Sequence, residues 1–424
     1  MKLSKSMSPA EIQSAYQALT ATYRDMQAKN LKLDMSRGRP APEQLDLTNA
    51  MLDDKNYIAP NGLDCRNYGA PDGVRELAEI FAGMMDVPAE CVILGGASSL
   101  NLMFDKISSA MTHGVGGCKP WMQQGTVKFL CPVPGYDRHF AVCEYFGIEM
   151  INVAMTPTGP DMDAVEQMVN NDPTVKGIWC VPKYSNPQGY TYSDETVRRF
   201  AALKPAAPDF RIYWDNAYCV HDLTDTPDRL LPLYAECVKN GNEDLPVMFA
   251  STSKITFPGA GVAAIAESAK NRAFDKERLS FQLVCPDKMN MLRHLHFLKD
   301  IDHVHAQMKR HAALLRPKFD AVCDVLDSEF DNGVFLSWNK PNGGYFISVD
   351  TMPGCAKRTA QLCAEAGVKL TGAGATYPYG KDPQDANIRL SPSGVSVAEL
   401  RQAMALFSLC VKLASLEKLG AKAE

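Results

Sequence analysis

Short apolar runs alternate with helix-like segments over the middle of the chain, between about residues 90 and 267. The runs are almost continuously hydrophobic, which is typical of parallel strands that helices cover on both faces. The pattern predicts an α/β domain around a mainly parallel, seven-stranded sheet. The predicted strands are residues 91–94, 128–131, 150–154, 177–181, 211–214, 247–250 and 262–266.

The pattern changes on either side of this region. After Ser8 and Pro9, apolar residues follow at helical spacing and predict an N-terminal helix. Residues 275–325 favour helix, residues 396–416 favour a closing helix, and short strands are predicted between them at 335–338, 344–349, 368–371 and 388–391. We therefore expect a large α/β domain over residues 49–310 and a smaller α+β domain formed by residues 1–48 and 311–424.

Composition narrows the function classes. Of 424 residues, 46% are hydrophobic and 22% are charged, as in globular proteins. The 44 basic and 49 acidic residues give a net charge of −5, which argues against binding to nucleic acid or to an anionic membrane. Small molecules are the expected partners.

The cysteines and the N-terminus indicate a compartment. Thirteen cysteines, several of them inside apolar runs, are typical of reduced core thiols. The first residues lack the apolar segment of a signal peptide, and no apolar stretch approaches the ~20 residues that span a bilayer. We expect a cytoplasmic protein without a membrane segment.

Histidines gather between His294 and His311 without a metal-ligand pattern. Their i,i+2 pairs point to different sides of a helix, so no metal site is predicted, and the histidines are expected on helix surfaces or at a subunit contact.

Unusual polar residues stand just after predicted strands, where ligands bind in open α/β sheets. Lys254 follows the strand 247–250 among largely uncharged neighbours, so it is a candidate for covalent chemistry at a carbonyl. A surface lysine is the alternative. Asp215 ends the strand 211–214, with Tyr218 three residues on, and could pair with a protonated heterocyclic nitrogen or simply cap a helix.

Three further segments could join the same crevice. Residues 95–99 connect a strand to a helix and suit a phosphate, although small residues also make ordinary turns. Tyr136 and Asn186 lie in loops after strands and would add an aromatic surface and an amide. Arg389 lies within a strand, where a substrate carboxylate or a structural ion pair would satisfy its guanidinium.

Taken in order, these residues resemble the fold-type I, class I aminotransferases that use pyridoxal phosphate, over nearly the whole chain. The segments SRGRP, NYGAPDG, GGASSLN and STSKITFPGAG are similar to the MocR-type branch, which includes bacterial aspartate aminotransferases. The matching positions are Gly38, Tyr68, residues 95–99, Tyr136, Asn186 with Pro187, Asp215 with Tyr218, Ser251, Lys254 and Arg389.

The resemblance implies a role for each position. Lys254 would bind the cofactor as a Schiff base and then move the proton at the substrate α-carbon. Asp215 would keep the pyridine nitrogen protonated, and Tyr218 and Asn186 would contact the ring's phenolic oxygen. The remaining roles are stacking on the ring by Tyr136, phosphate binding by Gly96, Ala97, Ser98, Ser99 and Ser251, and binding of the substrate α-carboxylate by Gly38, Asn186 and Arg389.

The resemblance also implies a homodimer, because Tyr68 would reach the phosphate of the neighbouring subunit. One position departs from the family. Many class I enzymes have an arginine seven or eight residues after the lysine, where this chain has Gly261 and Val262. Some other group must therefore neutralise the phosphate, or the phosphate is held more weakly.

Two arginines point to the substrate. Arg37 immediately precedes Gly38 and Arg138 lies two residues after Tyr136, and a second guanidinium near the site favours a dicarboxylate. A surface residue or a phosphate contact is the alternative for either arginine. The expected partners are aspartate, glutamate and their 2-oxo acids. Aromatic, alanine-like or kynurenine-type substrates, or β-elimination, are the alternatives within the enzymes. A regulatory sensor domain is disfavoured because the residues before the first motif contain one helix and no basic helix-turn-helix.

Overall fold

The computed structural model describes residues 2–4 and 6–422. Its α-helices are α1 (Pro9–Ala28), α2 (Pro42–Asp46), α3 (Arg75–Met85), α4 (Ser99–His113), α5 (Asp137–Tyr145), α6 (Met162–Asn171), α7 (Asp194–Ala201), α8 (Leu233–Lys239), α9 (Ala269–Gln282), α10 (Lys288–Leu298), α11 (Ile301–Glu329), α12 (Ala356–Glu365) and α13 (Val397–Lys418). Its strands are β1 (Leu33–Asp34), β2 (Val92–Leu94), β3 (Lys128–Val133), β4 (Glu149–Thr156), β5 (Gly159–Pro160), β6 (Val175–Cys180), β7 (Arg211–Asp215), β8 (Pro246–Ser251), β9 (Ala263–Ala266), β10 (Leu336–Trp338), β11 (Ile347–Thr351), β12 (Val368–Lys369) and β13 (Asn387–Leu390).

The main sheet contains all seven predicted strands in the order β2-β9-β8-β7-β6-β3-β4, and β5 continues it as an eighth. Strands β4, β3, β6, β7 and β8 run parallel, whereas β9 is antiparallel to both β8 and β2. The additional strand is a two-residue hairpin arm on β4. It consists of Gly159 and Pro160, so it offers no apolar run from which a strand could be predicted.

Buried side chains cover both faces of this sheet, as near-continuous apolar strands require. Phe129, Trp179, Tyr213 and Phe249 lie in the cluster on one face, and α3, α7 and α8 contribute to the cluster on the other. Gly177 in β6 leaves room for the Phe129 ring, which a Cβ at this position would overlap. The packing of β3 against β6 therefore depends on a glycine.

A second apolar cluster joins both ends of the chain. It packs α1, α11 and α13 around the antiparallel sheet β10-β11-β13. Ser8 and Ser396 begin α1 and α13 with capping boxes, which satisfy the first free amides of each helix. The predicted domain limits, residues 49–310 against 1–48 with 311–424, stay a prediction.

The topology brings several loops to one edge of the main sheet. The parallel strands β3, β6, β7 and β8 end at residues 133, 180, 215 and 251, so the loops that follow them share an edge. The short parallel pair β1 and β12 brings the segment around Gly38 to the same side. Among the described residues, no helix is long and apolar enough to cross a membrane.

Candidate active site

A cavity of about 580 Å³ lies where these loops meet. The loops after β3, β6, β7 and β8 contribute to its wall, together with the segments around Gly38 and Arg389. The residues around it that the sequence predicted are Arg37, Gly38, Ser98, Ser99, Tyr136, Arg138, Asn186, Asp215, Tyr218, Ser251, Lys254 and Arg389.

Lys254 stands on the turn after β8, directed at aromatic rings. Its Nζ lies 4.9 Å from the centroid of the Tyr218 ring and 6.0 Å from that of Tyr345. Burial lowers the pKa of the Lys254 ammonium from its usual 10.5, although the nearby Asp215 carboxylate opposes the shift. The site therefore favours a neutral amine, the form that attacks carbonyls.

Asp215 is the last residue of β7 and is 2% exposed. Its Oδ2 lies 3.1 Å from Nε2 of His139, whose ring stacks on Trp179 with 4.5 Å between the centroids. The other carboxylate oxygen, Oδ1, is buried and has no hydrogen-bond partner among the described residues. A buried acceptor of this kind, at the wall of a cavity, fits a ligand that presents an N–H donor.

Hydroxyl groups and a helix start form another part of the wall. Ser98 is the N-cap of α4, and its hydroxyl contacts Oδ1 of Asn101 at 3.0 Å. On the facing turn, the Ser251 hydroxyl donates to Oγ of Ser253 at 3.1 Å. The free amides of the helix start and three serine hydroxyls suit an anionic group.

Gly261 closes the turn that carries Lys254 against the turn before α4. A Cβ at Gly261 would stand 2.6 Å from the carbonyl oxygen of Ala97. A side chain therefore does not fit there unless the two turns separate. This contact is a physical reason why the chain lacks an arginine at residue 261.

Arg389 lies in the wall on β13 and is 6% exposed. Its Nη1 donates to Oδ1 of Asn186 at 3.2 Å and to Oδ1 of Asp137 at 2.8 Å. The ring of Phe346 lies against the guanidinium, 4.7 Å from Cζ to the centroid. Gly38 permits this stack, because a Cβ at Gly38 would overlap the Phe346 ring.

Three further cations line the cavity near Gly38 and Tyr136. Arg37 and Arg138 are exposed, as is Lys369 at the end of β12. None of the three forms a salt bridge with another described residue. This part of the wall can therefore attract a negatively charged group.

The comparisons with known proteins agree with this geometry. The family profile described as aspartate amino-transferase matches residues 7–423. The chain belongs to the aspartate aminotransferase family. An aspartate aminotransferase of Corynebacterium glutamicum is 46% identical over 397 residues, which cover 93% of this chain and 92% of that protein.

Solved structures support the same family and fold. An aspartate transaminase from Corynebacterium glutamicum superposes with a TM-score of 0.94 at 44% identity, covering 97% of this chain and 98% of that one. An α-aminoadipate aminotransferase from Thermus thermophilus, complexed with N-(5'-phosphopyridoxyl)-L-leucine, superposes with a TM-score of 0.70 at 18% identity, covering 97% and 100%. The second match shows the fold alone. The predicted aminotransferase family and α/β fold are thereby confirmed.

Three predicted positions of this aminotransferase lie outside the cavity wall. Gly96 and Ala97 belong to the turn before α4, are exposed and do not line the cavity. Tyr68 is 74% exposed and is not part of the wall. Within residues 2–4 and 6–422, no cluster of His, Cys, Asp or Glu could hold a metal ion.

The sequence did not single out four residues that line the cavity or contact its wall. These are His139, Ser253, Asp137 and Lys369. His139 could have been found from its spacing, because it lies three residues after Tyr136 at the start of a helix. The contacts of Asp137 and Lys369 depend on elements distant in sequence, so spacing carries no signal for them.

Proposed function

We propose that the protein is a pyridoxal phosphate-dependent aspartate aminotransferase of the MocR-type branch. It transfers the amino group between aspartate or glutamate and 2-oxo acids, such as 2-oxoglutarate and oxaloacetate. One observation carries the proposal: an amine with a lowered pKa, Lys254, and an unpartnered buried carboxylate oxygen, Asp215 Oδ1, face the same cavity. A cytoplasmic location is the setting expected from the sequence.

The residues present fit pyridoxal phosphate. Asp215 Oδ1 would accept from the pyridine N–H, and the start of α4 with Ser98, Ser251 and Ser253 would hold the phosphate. These neutral donors would bind the phosphate in place of the arginine that the chain lacks at Gly261 and Val262. When bound, the cofactor supplies an electron sink for the negative charge that develops at the substrate α-carbon.

The chain's own groups hold and move protons around this centre. Lys254 would bind the cofactor through Nζ and, once released, carry the proton at the α-carbon, because burial lowers the pKa of its ammonium and favours the neutral amine that acts as a base. His139 positions Asp215 by its contact at 3.1 Å. Burial raises the pKa of Tyr136 to about 12, so its ring stays neutral as a stacking surface.

Two hydrogen-bonding groups would reach the ring's phenolic oxygen. Asn186 and Tyr218 both line the cavity, and burial raises the pKa of the Tyr218 hydroxyl well above its ordinary value, which keeps it protonated as a donor. Asn186 would also help to bind the substrate, because its Oδ1 already fixes Nη1 of Arg389.

Arg389 would bind the substrate α-carboxylate, with the backbone of Gly38 beside it. Its Nε is buried without a partner among the described residues, so part of the guanidinium is available. The unpaired Arg37 and Arg138 support a second anionic position, and hence dicarboxylate substrates. Arg37→Ala and Arg138→Ala, assayed with aspartate and with alanine, test this part. A loss confined to aspartate, of about tenfold, supports it, and equal losses contradict it.

The active unit would be a homodimer with shared active sites. Tyr68 is too exposed to belong to its own cavity, which fits the expected contribution to the neighbouring phosphate. The partners are amino acids and 2-oxo acids.

The visible spectrum of the purified holoenzyme tests the function. We expect a chromophore that aspartate and glutamate convert to the amine form of the cofactor, and that alanine, phenylalanine and kynurenine convert little. Lys254→Ala should abolish both the covalent attachment and turnover. Conversion by a neutral amino acid would refute the substrate, and a protein that takes up no pyridoxal phosphate would refute the function.

A further inference from the structure

Asp137 places a carboxylate on the guanidinium to which the substrate should bind. It is the first residue of α5, and its Oδ1 lies 2.8 Å from Nη1 of Arg389. The two side chains differ in freedom, because that of Asp137 is 34% exposed and that of Arg389 is 7% exposed. The arrangement is an ion pair between a fixed cation and an anion at the cavity wall.

Arg389 does not need Asp137 for its orientation. Asn186 Oδ1 accepts from the same Nη1 at 3.2 Å, and the Phe346 ring covers one face of the guanidinium. What these two neutral groups cannot supply is negative charge. A cation this buried is costly without an anion, and Asp137 is the one residue with which Arg389 forms a salt bridge in the described chain.

We propose that Asp137 is the counter-ion of Arg389 in the ligand-free enzyme and that the substrate α-carboxylate replaces it. The inference rests on the proposed function, in which Arg389 binds that carboxylate. Two carboxylates on one guanidinium repel each other. Asp137 has solvent on its open side and can turn outward, whereas Arg389 is held by Asn186 and Phe346.

The exchange has a consequence for specificity. A ligand with a carboxylate must break the ion pair between Asp137 and Arg389 before it forms its own. The binding free energy that it gains is therefore smaller than with an Arg389 that had no counter-ion. An amine without a carboxylate has nothing to offer Arg389 and leaves Asp137 in place. Asp137 therefore weakens the binding of ligands that carry a carboxylate and leaves ligands without one unaffected, so it moderates the preference that Arg389 creates.

Asp137→Asn in the holoenzyme tests the exchange, because it removes the charge and keeps the shape. We expect KM for aspartate, and the dissociation constant of the unreactive dicarboxylate succinate, to fall about fivefold, with kcat within about twofold of wild type. Binding of 2-aminoethanol should not improve. Glu144→Gln is the matched control, since Glu144 is an exposed acid on the same helix, and it should change none of these values.

A KM for aspartate that is unchanged or raised in Asp137→Asn would overturn the inference, as would an equal gain in the Glu144→Gln control. Asp137→Ser is a second variant that removes the same charge, and it should lower KM for aspartate as Asp137→Asn does. A purely structural role would raise KM or lower kcat instead. If the wild-type holoenzyme does not convert aspartate, it is the proposed function that fails, and this result is separate from the behaviour of the variants.

Discussion

Keeping Lys254 uncharged, as its role as a base requires, lowers the stability of the folded chain. Lys254 is enclosed by the rings of Tyr218 and Tyr345, and burial lowers the pKa of its ammonium. The neighbouring Asp215 carboxylate opposes this lowering of the pKa only in part, and it also contacts His139. Before the cofactor binds, this residue therefore reduces stability in order to provide reactivity.

Replacing that lysine should stabilise the apoenzyme. In the unfolded chain Lys254 has its ordinary pKa of 10.5, and in the folded chain the pKa is lower. Between the two values the unfolded chain binds more protons, so wild-type stability falls as the pH falls below about 10.5. Lys254→Met lacks this penalty. We expect its melting temperature to exceed that of wild-type apoenzyme by about 2 °C at pH 7, with a difference that shrinks as the pH approaches 10.

Lys176 provides the contrasting control. It is a buried lysine whose Nζ lies 2.7 Å from Oδ1 of the buried Asp209. Lys176→Met would leave that carboxylate without its cation, so it should lower the melting temperature under the same conditions. Scanning calorimetry of both variants between pH 7 and 10 provides the measurement. A Lys254→Met apoenzyme less stable than wild type at pH 7 would contradict the account.

Two turns, rather than one charged residue, form the proposed phosphate site. The turn of residues 251–262 packs against the turn of residues 95–99, and backbone hydrogen bonds between Ala263 and both Gly95 and Gly96 join them. The distance between these turns decides whether the start of α4 and the hydroxyls of Ser251 and Ser253 can contact the same anion.

Gly261→Ala should separate the two turns. The new Cβ would stand 2.6 Å from the Ala97 carbonyl, and this backbone atom cannot give way cheaply. We expect the dissociation constant for pyridoxal phosphate to rise about tenfold and the melting temperature of the apoenzyme to fall by about 3 °C. Titration of the apoenzyme with the cofactor, followed by absorbance, measures the effect.

Gly259→Ala is the matched control for this steric argument. Gly259 lies on the same turn, and no heavy atom stands within 4 Å of the position its Cβ would take. Its affinity for the cofactor should therefore equal that of wild type. Equal weakening in the two variants would mean that backbone freedom, not the contact with Ala97, is what matters.

The elements themselves were largely readable from the sequence. Seven strands of the main sheet are apolar runs long enough to detect, whereas β5 is Gly159 and Pro160 and is defined only by its pairing with β4. Histidines expected on helix surfaces or at a subunit contact include His294 and His311, which are 0% and 1% exposed. Helical spacing did not show that Thr252, Thr256 and Gln44 would supply their hydrogen bonds.

In the site, too, local sequence pattern predicted some residues, and contacts between distant segments decided the others. Lys254, Asp215 and Asn186 stand directly after strands, so the order of the chain places them at one edge of the sheet. The contact between Asp137 and Arg389 joins residues 252 positions apart. Its geometry depends on how β13 packs beside α5, and local pattern carries no information on such distances.

At the scale of the whole molecule, the cavity draws on distant parts of one chain. Gly38 comes from the segment after β1, Lys254 from the main sheet and Arg389 from the small antiparallel sheet. Tyr68, a predicted site residue, is 74% exposed and lies outside the wall. In the proposed homodimer, Tyr68 makes no contribution to the active site of its own subunit and contacts the phosphate in the neighbouring one.

Mixed dimers can test this, because both defects then fall on one active site and leave the other site intact. Lys254→Ala should be inactive, and Tyr68→Ala should lose about tenfold in kcat/KM as cofactor contacts are removed. In a mixed dimer of the two, the site with Lys254 receives an intact Tyr68 from the Lys254→Ala subunit and should recover up to half of wild-type activity. Mixing Lys254→Ala with Asp215→Ala should recover none, since both of those residues act within their own subunit. Co-expression with two affinity tags isolates each mixed dimer for assay, and a Tyr68→Ala mixture without recovery would place Tyr68 outside the neighbouring site.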